Sequence, residues 1–208
     1  MHPDNRSYSL YLKGINCGLI EKGIMMSRLP VPATIDAAPA ASQPLLEGVK
    51  KKLGVAPNLY RLVGTSPAAL EGLLGLSAAL GKGAISAALG ERIALVVSEI
   101  NGCDYCLSAH TYVAQKLVKL DDAEIAANRA GRSNDAKADA AVRFAAKVVR
   151  ERGHVDEADV AALKTAGYDD AQVIEIVLHI AFTTFTNYLN EVAKTDIDFP
   201  VAQALQAA

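Results

Sequence analysis

A chain of 208 residues and 21.9 kDa is long enough to bury a full core without disulfide scaffolding, and it fits one domain with an appended segment. Its 51% hydrophobic content with 5% aromatic and no Trp is largely Ala, Leu, Val and Ile, which suits close-packed helices and predicts an all-α domain. Twenty-one Lys and Arg against 23 Asp and Glu leave a net charge of −2, so no basic field argues for nucleic acid or an anionic membrane, and small molecules or proteins are the expected partners.

Residues 1–24 read as a doubtful leader. Lys13 and Glu21 interrupt what would be the apolar region of a signal peptide, and no small-residue cleavage site follows. The codons for Glu21-Lys22-Gly23 are necessarily purine-rich and lie just upstream of Met25 and Met26, as a bacterial ribosome-binding site would. A translation start at Met25 or Met26 and an ordinary N-terminal tail are both open at this point. Residues 25–44 carry Pro30, Pro32, Pro39 and Pro44 among Ala and Ser and are expected to form an extended arm. Residues 45–208 then read as one helical domain.

Within it, helices are predicted over Leu45 to Leu53, Pro57 to Val63 and Pro67 to Leu80, the last with Pro67 in its first turn. Ser86 can cap a helix to about Ile100, Asn101-Gly102 breaks it, and another runs from Cys103 to about Lys119. Asp121 with Glu124 forms a capping-box-like start and Gly131 a stop. Ala141, Phe144, Ala145, Val148 and Val149 give a core-facing stripe ended by Gly153. Asp156 opens a helix that Gly167 closes. Asp169 with Gln172 opens the last, with Val173, Ile176, Val177, Ile180 and Ala181 as its expected buried stripe. No alternating strand pattern appears. The apolar stretches around residues 84–97 and 173–182 are broken by Glu91, Arg92, Glu175 and His179, so neither reaches the roughly 18 uninterrupted apolar residues of a membrane span.

The chemistry lies at the break. Three cysteines are too few for a secreted disulfide framework, and a cytoplasmic chain with Cys103 and Cys106 three residues apart reads as redox or metal chemistry. At a helix N-terminus the pair would lie one turn apart, close enough to cycle between dithiol and disulfide, and exposed to the positive end of the helix dipole, which favours thiolate. His110 falls four residues after Cys106 on the same face and can exchange its proton. Asp104 beside Cys103 would raise that thiol's pKa, so Cys106 is the favoured nucleophile.

Other readings of the pair are weighed on spacing. Zinc would use His110 as third ligand, but His2, His154, His179 and Cys17 show no metal-ligand spacing, so no metal is expected. A thioredoxin-like motif needs strands, and haem attachment needs His where Leu107 stands. Purely structural cysteines stay open. His179, Thr183 and Asn187 share a face of the last helix and are expected to form a hydrogen-bonded seam between helices, with lining of the site as the alternative. His154 reads as a helix-end residue.

The stretch from Glu91 to His110, with a Glu twelve residues before the first Cys and then C-x-x-C-x-x-x-H, closely resembles the signature of the alkylhydroperoxidase D and carboxymuconolactone decarboxylase superfamily, in its peroxidase-related branch. The ending Asp196-Ile197-Asp198-Phe199-Pro200 resembles the tail of that branch. The resemblance implies Cys106 as peroxidatic nucleophile, Cys103 as resolving thiol and Glu91 with His110 as proton relay. It further implies a hydroperoxide substrate, an external dithiol reductant of protein or lipoyl type, no cofactor, and a homo-oligomer, trimer or hexamer. Ala-lined amphipathic helices with apolar faces that one compact subunit leaves uncovered also predict self-association. One departure is Tyr105, which stands where the prototype peroxidase carries a histidine, so that part of the relay is missing or replaced by a phenol. Carboxymuconolactone decarboxylases proper lack the cysteine pair. Glu99 competes with Glu91, because eight residues turn a helix back to within about 80°; the family spacing selects Glu91. The reading from another class is a non-catalytic helical binding protein that senses redox state through the same cysteines.

Overall fold

The computed structural model describes residues 27–205, so the leader and the alternative starts at Met25 and Met26 lie outside the described residues, as do His2 and Cys17. Among the described residues there are nine α-helices and no strand. They are α1 Gln43–Leu53, α2 Asn58–Val63, α3 Pro67–Leu80, α4 Ala87–Asn101, α5 Asp104–Lys116, α6 Asp122–Arg129, α7 Ala136–Arg150, α8 Glu157–Thr165 and α9 Asp170–Ala193. No helix among these residues is long and apolar enough to cross a membrane.

Helix α4 is the centre. Ile93 through Ser98 are all buried, and an element apolar on every side must be surrounded. It packs against α5, α6, α7 and α9. Its Ile93, Val96 and Val97 meet Ala141, Val142 and Ala145 of α7 and Ile176 and Ile180 of α9 in the main core. Small Ala residues on α7 let that helix approach closely.

Helix starts follow side-chain caps. Ser66, Ser86, Asp135, Asp156 and Asp169 each accept a backbone N–H three residues on, and Asp156 and Asp169 complete reciprocal capping boxes with Asp159 and Gln172. Asp121 likewise accepts the Glu124 N–H at 2.7 Å, but the expected return bond is absent. The Glu124 carboxylate instead accepts from Arg92 Nε at 2.7 Å, Asn128 Nδ2 at 2.9 Å, Ser133 Oγ at 2.6 Å and the Asn134 N–H at 2.8 Å. Burial would raise its pKa, yet these donors pull it down to about 2.

Two further expectations are corrected. Helix α5 ends at Lys116, short of Lys119, because the chain turns there through Lys119 at φ 60° and lets Val118 and Leu120 pack on Leu95, Ala114 and Ile125. On α9, Ile176 and Ile180 are buried and Val173 packs on the core, but Val177 is 43% exposed and Ala181 also faces out. The inner face of that helix continues instead through Thr183, Thr186, Asn187, Asn190 and Ala193. Polar side chains hold the buried positions in its second half, where α9 passes the cysteines.

The segment before α1 is largely without helix, apart from a short 3-10 turn at Ile35–Ala37. It is tied down at its start: Ser27 Oγ and the Arg28 N–H both donate to the Ala193 carbonyl, one of the unpaired carbonyls at the end of α9.

Candidate active site

Asn101 ends α4 and Gly102 reverses the chain at φ +65°, a conformation that a side chain would strain. The Gly102 and Cys103 N–H groups then bond back to the carbonyls of Glu99 and Ser98 at 3.2 and 3.0 Å. This turn delivers Cys103 as the cap of α5, one residue before the helix proper. Its Sγ accepts the Cys106 N–H at 3.3 Å. Sulfur is a poorer acceptor than the oxygen of Ser or Asp, so the position gives up capping strength for a thiol.

Both cysteines are free and buried, Cys103 at 0% and Cys106 at 3% exposure, under Tyr105, Leu59, Ile197 and Phe199. Their environments push them apart. The Cys106 thiol is pulled down to about 6, first by the hydrogen bond from the Cys103 thiol, against the opposing effect of burial, and then by the charge of His110 and the amides of Asn190 and Asn187. Cys103 is pushed up by that same hydrogen bond and by burial. Asp104 is not among the causes of that rise; Cys106 and the surrounding protein replace it. The environment therefore favours ionisation of Cys106 over that of Cys103.

Glu91 on α4 and His110 on α5 meet across the junction, with Glu91 Oε2 2.8 Å from His110 Nδ1. Burial would lower the His110 pKa, but Glu91, followed by Cys106, raises it. Glu99 lies elsewhere: its carboxylate accepts Arg129 Nε at 2.6 Å, while Arg129 Nη1 reaches the Gln203 carbonyl at 2.8 Å. The ambiguity between the two glutamates is thus separated by the structure, one facing the cysteine helix and the other α6 and the C-terminal tail.

Tyr105 also turns away from His110. Its hydroxyl donates to Asp198 Oδ1 at 2.7 Å and accepts the Leu59 N–H at 3.1 Å, while Asp198 Oδ2 accepts the Asn58 N–H at 2.8 Å. The ring meets Phe199 edge-on at 5.8 Å. The phenol is a latch that fastens the tail over the cysteines. Tyr105→Phe is expected to cost on the order of 1 kcal/mol in denaturant unfolding, and to leave the pH profile of Cys106 alkylation in place.

Sequence reasoning missed Asn190, whose Nδ2 lies 3.3 Å from Cys106 Sγ. The signal was present as a continuation of the polar row from Thr183 and Asn187 into the next turn. Asn187 does form the expected seam, donating to Ser98 Oγ at 3.1 Å and accepting from Asn101 at 2.9 Å. His179 and Thr183 instead line a cavity together with Glu91 and His110. His154 is exposed in the turn after α7. Asn190→Ala should raise the Cys106 pKa and slow its alkylation near pH 6, measured with iodoacetamide across a pH series; an unchanged inflection would remove Asn190 from the site.

Among the described residues no group of His, Cys, Asp and Glu side chains is arranged to hold a metal. A larger groove of about 370 Å³, lined by Arg132, Arg143, Lys147 and Arg150, does not include either cysteine. The first three of these are already paired with Asp139, Asp156 or Asp159, and the groove offers no nucleophile.

The carboxymuconolactone decarboxylase family matches residues 67–151, a span holding Glu91, both cysteines and His110. No curated protein matches the chain in sequence. Among solved structures, an uncharacterized peroxidase-related protein from Silicibacter sp. TM1040 is 27% identical with a TM-score of 0.73, covering 85% of this chain and 94% of that one. An alkylhydroperoxidase AhpD core protein, peroxidase-related, from Ralstonia eutropha JMP134 is 26% identical with a TM-score of 0.73, covering 82% and 92%. The debrominase Bmp8, in complex with 2,3,4-tribromopyrrole, is 24% identical with a TM-score of 0.69, covering 83% and 92%, and shares the fold. The chain is thus similar to the carboxymuconolactone decarboxylase family across the cysteine junction, and it shares its helical architecture with peroxidase-related proteins of the alkylhydroperoxidase AhpD type.

Proposed function

We propose that the chain is a thiol-dependent peroxidase that reduces hydroperoxides through Cys106 and Cys103. The observation that carries this reading is the split between the two thiols, Cys106 held near 6 and Cys103 pushed up, beside a Glu91–His110 pair at 2.8 Å. In the first step the Cys106 thiolate attacks the terminal peroxide oxygen, the O–O bond breaks, and His110 protonates the departing alkoxide to an alcohol. Cys106 is then a sulfenic acid. Cys103 sulfur attacks it, giving up its proton as the sulfenic hydroxyl leaves as water, and a disulfide forms. An external dithiol, protein or lipoyl-type, returns two electrons and two protons. No cofactor enters this cycle, and its dependence on a reducing dithiol fits a cytoplasmic setting.

The test is steady consumption of hydrogen peroxide and cumene hydroperoxide with dihydrolipoamide. A single stoichiometric oxidation without turnover would overturn the peroxidase reading and favour the redox-sensing binder. That second reading draws support from the tail: Ile197 and Phe199 cover the cysteines, so oxidation at the cap of α5 could be coupled to release of residues beyond Thr195.

We also propose that the protein self-associates. Ile174, Phe185, Tyr188 and Val192 on α9 are 69%, 46%, 59% and 61% exposed, and with Ala181 they follow a heptad-like spacing that a second copy of the same helix would match. Light scattering that gave a 21.9 kDa species alone would refute it.

A further inference from the structure

The cover over the cysteines is assembled from two separate parts of the chain. Leu59 comes from α2, and Ile197 and Phe199 come from the stretch that follows α9. Phe199 sits against two rings of α5, edge-on to Tyr105 at 5.8 Å and tilted against Tyr112 at 6.1 Å. At 0% and 3% exposure neither cysteine offers a reactant enough surface to attack, so part of this cover has to move before either sulfur reacts.

The stretch after α9 is firmly anchored where it begins. Helix α9 stops as Lys194 takes φ 50°, the buried Thr195 returns its N–H to the Asn190 carbonyl at 3.2 Å, and the Ala193 carbonyl is held by Ser27 and Arg28. Beyond Thr195 the attachments change character. Among the described residues, 196–205 make no backbone–backbone hydrogen bond, and the bonds that hold them run through side chains. Asn58 Nδ2 donates to the Asp196 carbonyl at 2.8 Å, Asp198 accepts through both oxygens, the Ala202 N–H donates to Ser108 Oγ at 3.1 Å, and Arg129 Nη1 donates to the Gln203 carbonyl at 2.8 Å. A segment tied down this way opens at a lower free energy than the packed helices beneath it.

Asp198 also supplies what α2 lacks. Pro57 gives that helix no side-chain cap, so its first N–H groups need partners from elsewhere. Asp198 Oδ2 accepts the Asn58 N–H at 2.8 Å, the Tyr105 hydroxyl accepts the Leu59 N–H at 3.1 Å, and that hydroxyl donates in turn to Asp198 Oδ1 at 2.7 Å. Lifting the strap uncaps α2 in the same movement, and so loosens Leu59 together with Ile197 and Phe199. We propose that residues 196–203 and the first turn of α2 form a two-part gate that opens as one unit to admit reactants to Cys103 and Cys106, pivoting beyond Thr195, with Asp198 as its clasp. The gate governs access to the thiols whatever their reaction, so it does not rest on the peroxidase reading.

The test is amide hydrogen exchange by NMR on the full chain, paired with labelling of Cys106 by N-ethylmaleimide. In the wild type the Asn58, Leu59 and Ala202 amides should be protected to within about threefold of one another, and at least about a hundredfold less than the Val96 amide in the middle of α4. Asp198→Ala, which removes two bonds to a charged group, should speed both the exchange of all three amides and maleimide labelling by a common factor of at least about tenfold, with the labelling inflection unmoved. Tyr105→Phe, which loses one oxygen, should raise both by a common factor of about fivefold, and it carries the test where the first variant fails to fold. Protection that differs by more than about tenfold between the α2 amides and Ala202 would mean two separate movements and overturns the gate. Protection equal to that of Val96 does the same, because the strap would then open only on global unfolding. Faster exchange with unchanged labelling, in either variant, shows that the thiols are reached by another route and overturns it too. A labelling gain that comes with a shifted inflection belongs to ionisation, not to access, and counts equally against it.

Discussion

Replacing Cys106 with Ser is expected to abolish hydroperoxide consumption, whereas replacing Cys103 should leave one attack per protein molecule and no second. With its pKa pulled down to about 6, the Cys106 thiol is far more readily ionised near neutral pH than an ordinary cysteine. A serine hydroxyl at the same position stays protonated, so no nucleophile remains. Cys103 does two things, and two variants separate them. Cys103→Ser keeps a hydroxyl that can still hydrogen-bond to the Cys106 sulfur, so the alkylation inflection should stay low while resolution fails and sulfenic acid accumulates on Cys106. Cys103→Ala also removes the largest single contribution to the low Cys106 pKa. Its inflection should move toward that of an ordinary thiol, and alkylation at pH 7 should fall about tenfold. Mass spectrometry after one equivalent of peroxide assigns the oxygen. Sulfenic acid on Cys103 in the Cys106 variant, with Cys106 inert in the Cys103 variant, would reverse nucleophile and resolver.

The architecture was legible in the sequence because its signals are local. Caps at Ser86, Asp156 and Asp169, Pro67 at a helix start and Gly102, Gly153 and Gly167 at helix ends act within one turn of themselves. The spacing of Cys103, Cys106 and His110 is local in the same sense, since one helix carries all three. What stayed hidden depends on which helix passes which. Glu91 and Glu99 lie within about 80° on α4, a difference that phase alone cannot resolve, and only the positions of α5 and α6 send one to His110 and the other to Arg129.

The same limit explains α9 and Glu124. A hydrophobicity pattern places apolar residues inside, so it chose Val177 and Ala181, whereas the true inner face from Thr183 to Asn190 is polar because it meets Ser98, Asn101 and Cys106. A polar row on a mostly apolar helix was the cue to a site rather than to solvent. Glu124 fitted a local capping rule, but Arg92, Asn128 and the turn at Ser133 and Asn134 offered its carboxylate four donors where the cap offered one. Tyr105 could not have been read at all from its neighbours, since its partners Leu59 and Asp198 come from distant parts of the chain.

Glu91→Gln tests whether the carboxylate on α4 sets the protonation of the site, and it should cut turnover at least about tenfold, the low end of what general acid–base groups contribute. Glu91 raises the His110 pKa, and the charge on His110 in turn lowers that of Cys106. Removing the carboxylate should therefore move both: His110 down, and the inflection of Cys106 alkylation up from about 6. The stability effect has a definite sign. A histidine whose folded pKa is raised contributes stability that is fully present below its unfolded value of about 6.5 and is lost as pH rises through the folded value. The variant should accordingly lose more stability at pH 5.5 than at pH 9, on the order of the unfolding shifts seen for a single partly buried pair. Glu99→Gln is the matched control on the same helix. It removes the charge that pairs with Arg129, which also holds the Gln203 carbonyl, so it should loosen the tail without moving the alkylation inflection. An inflection that moves in Glu99→Gln and stays fixed in Glu91→Gln would place the proton relay on the other side of α4, against α6.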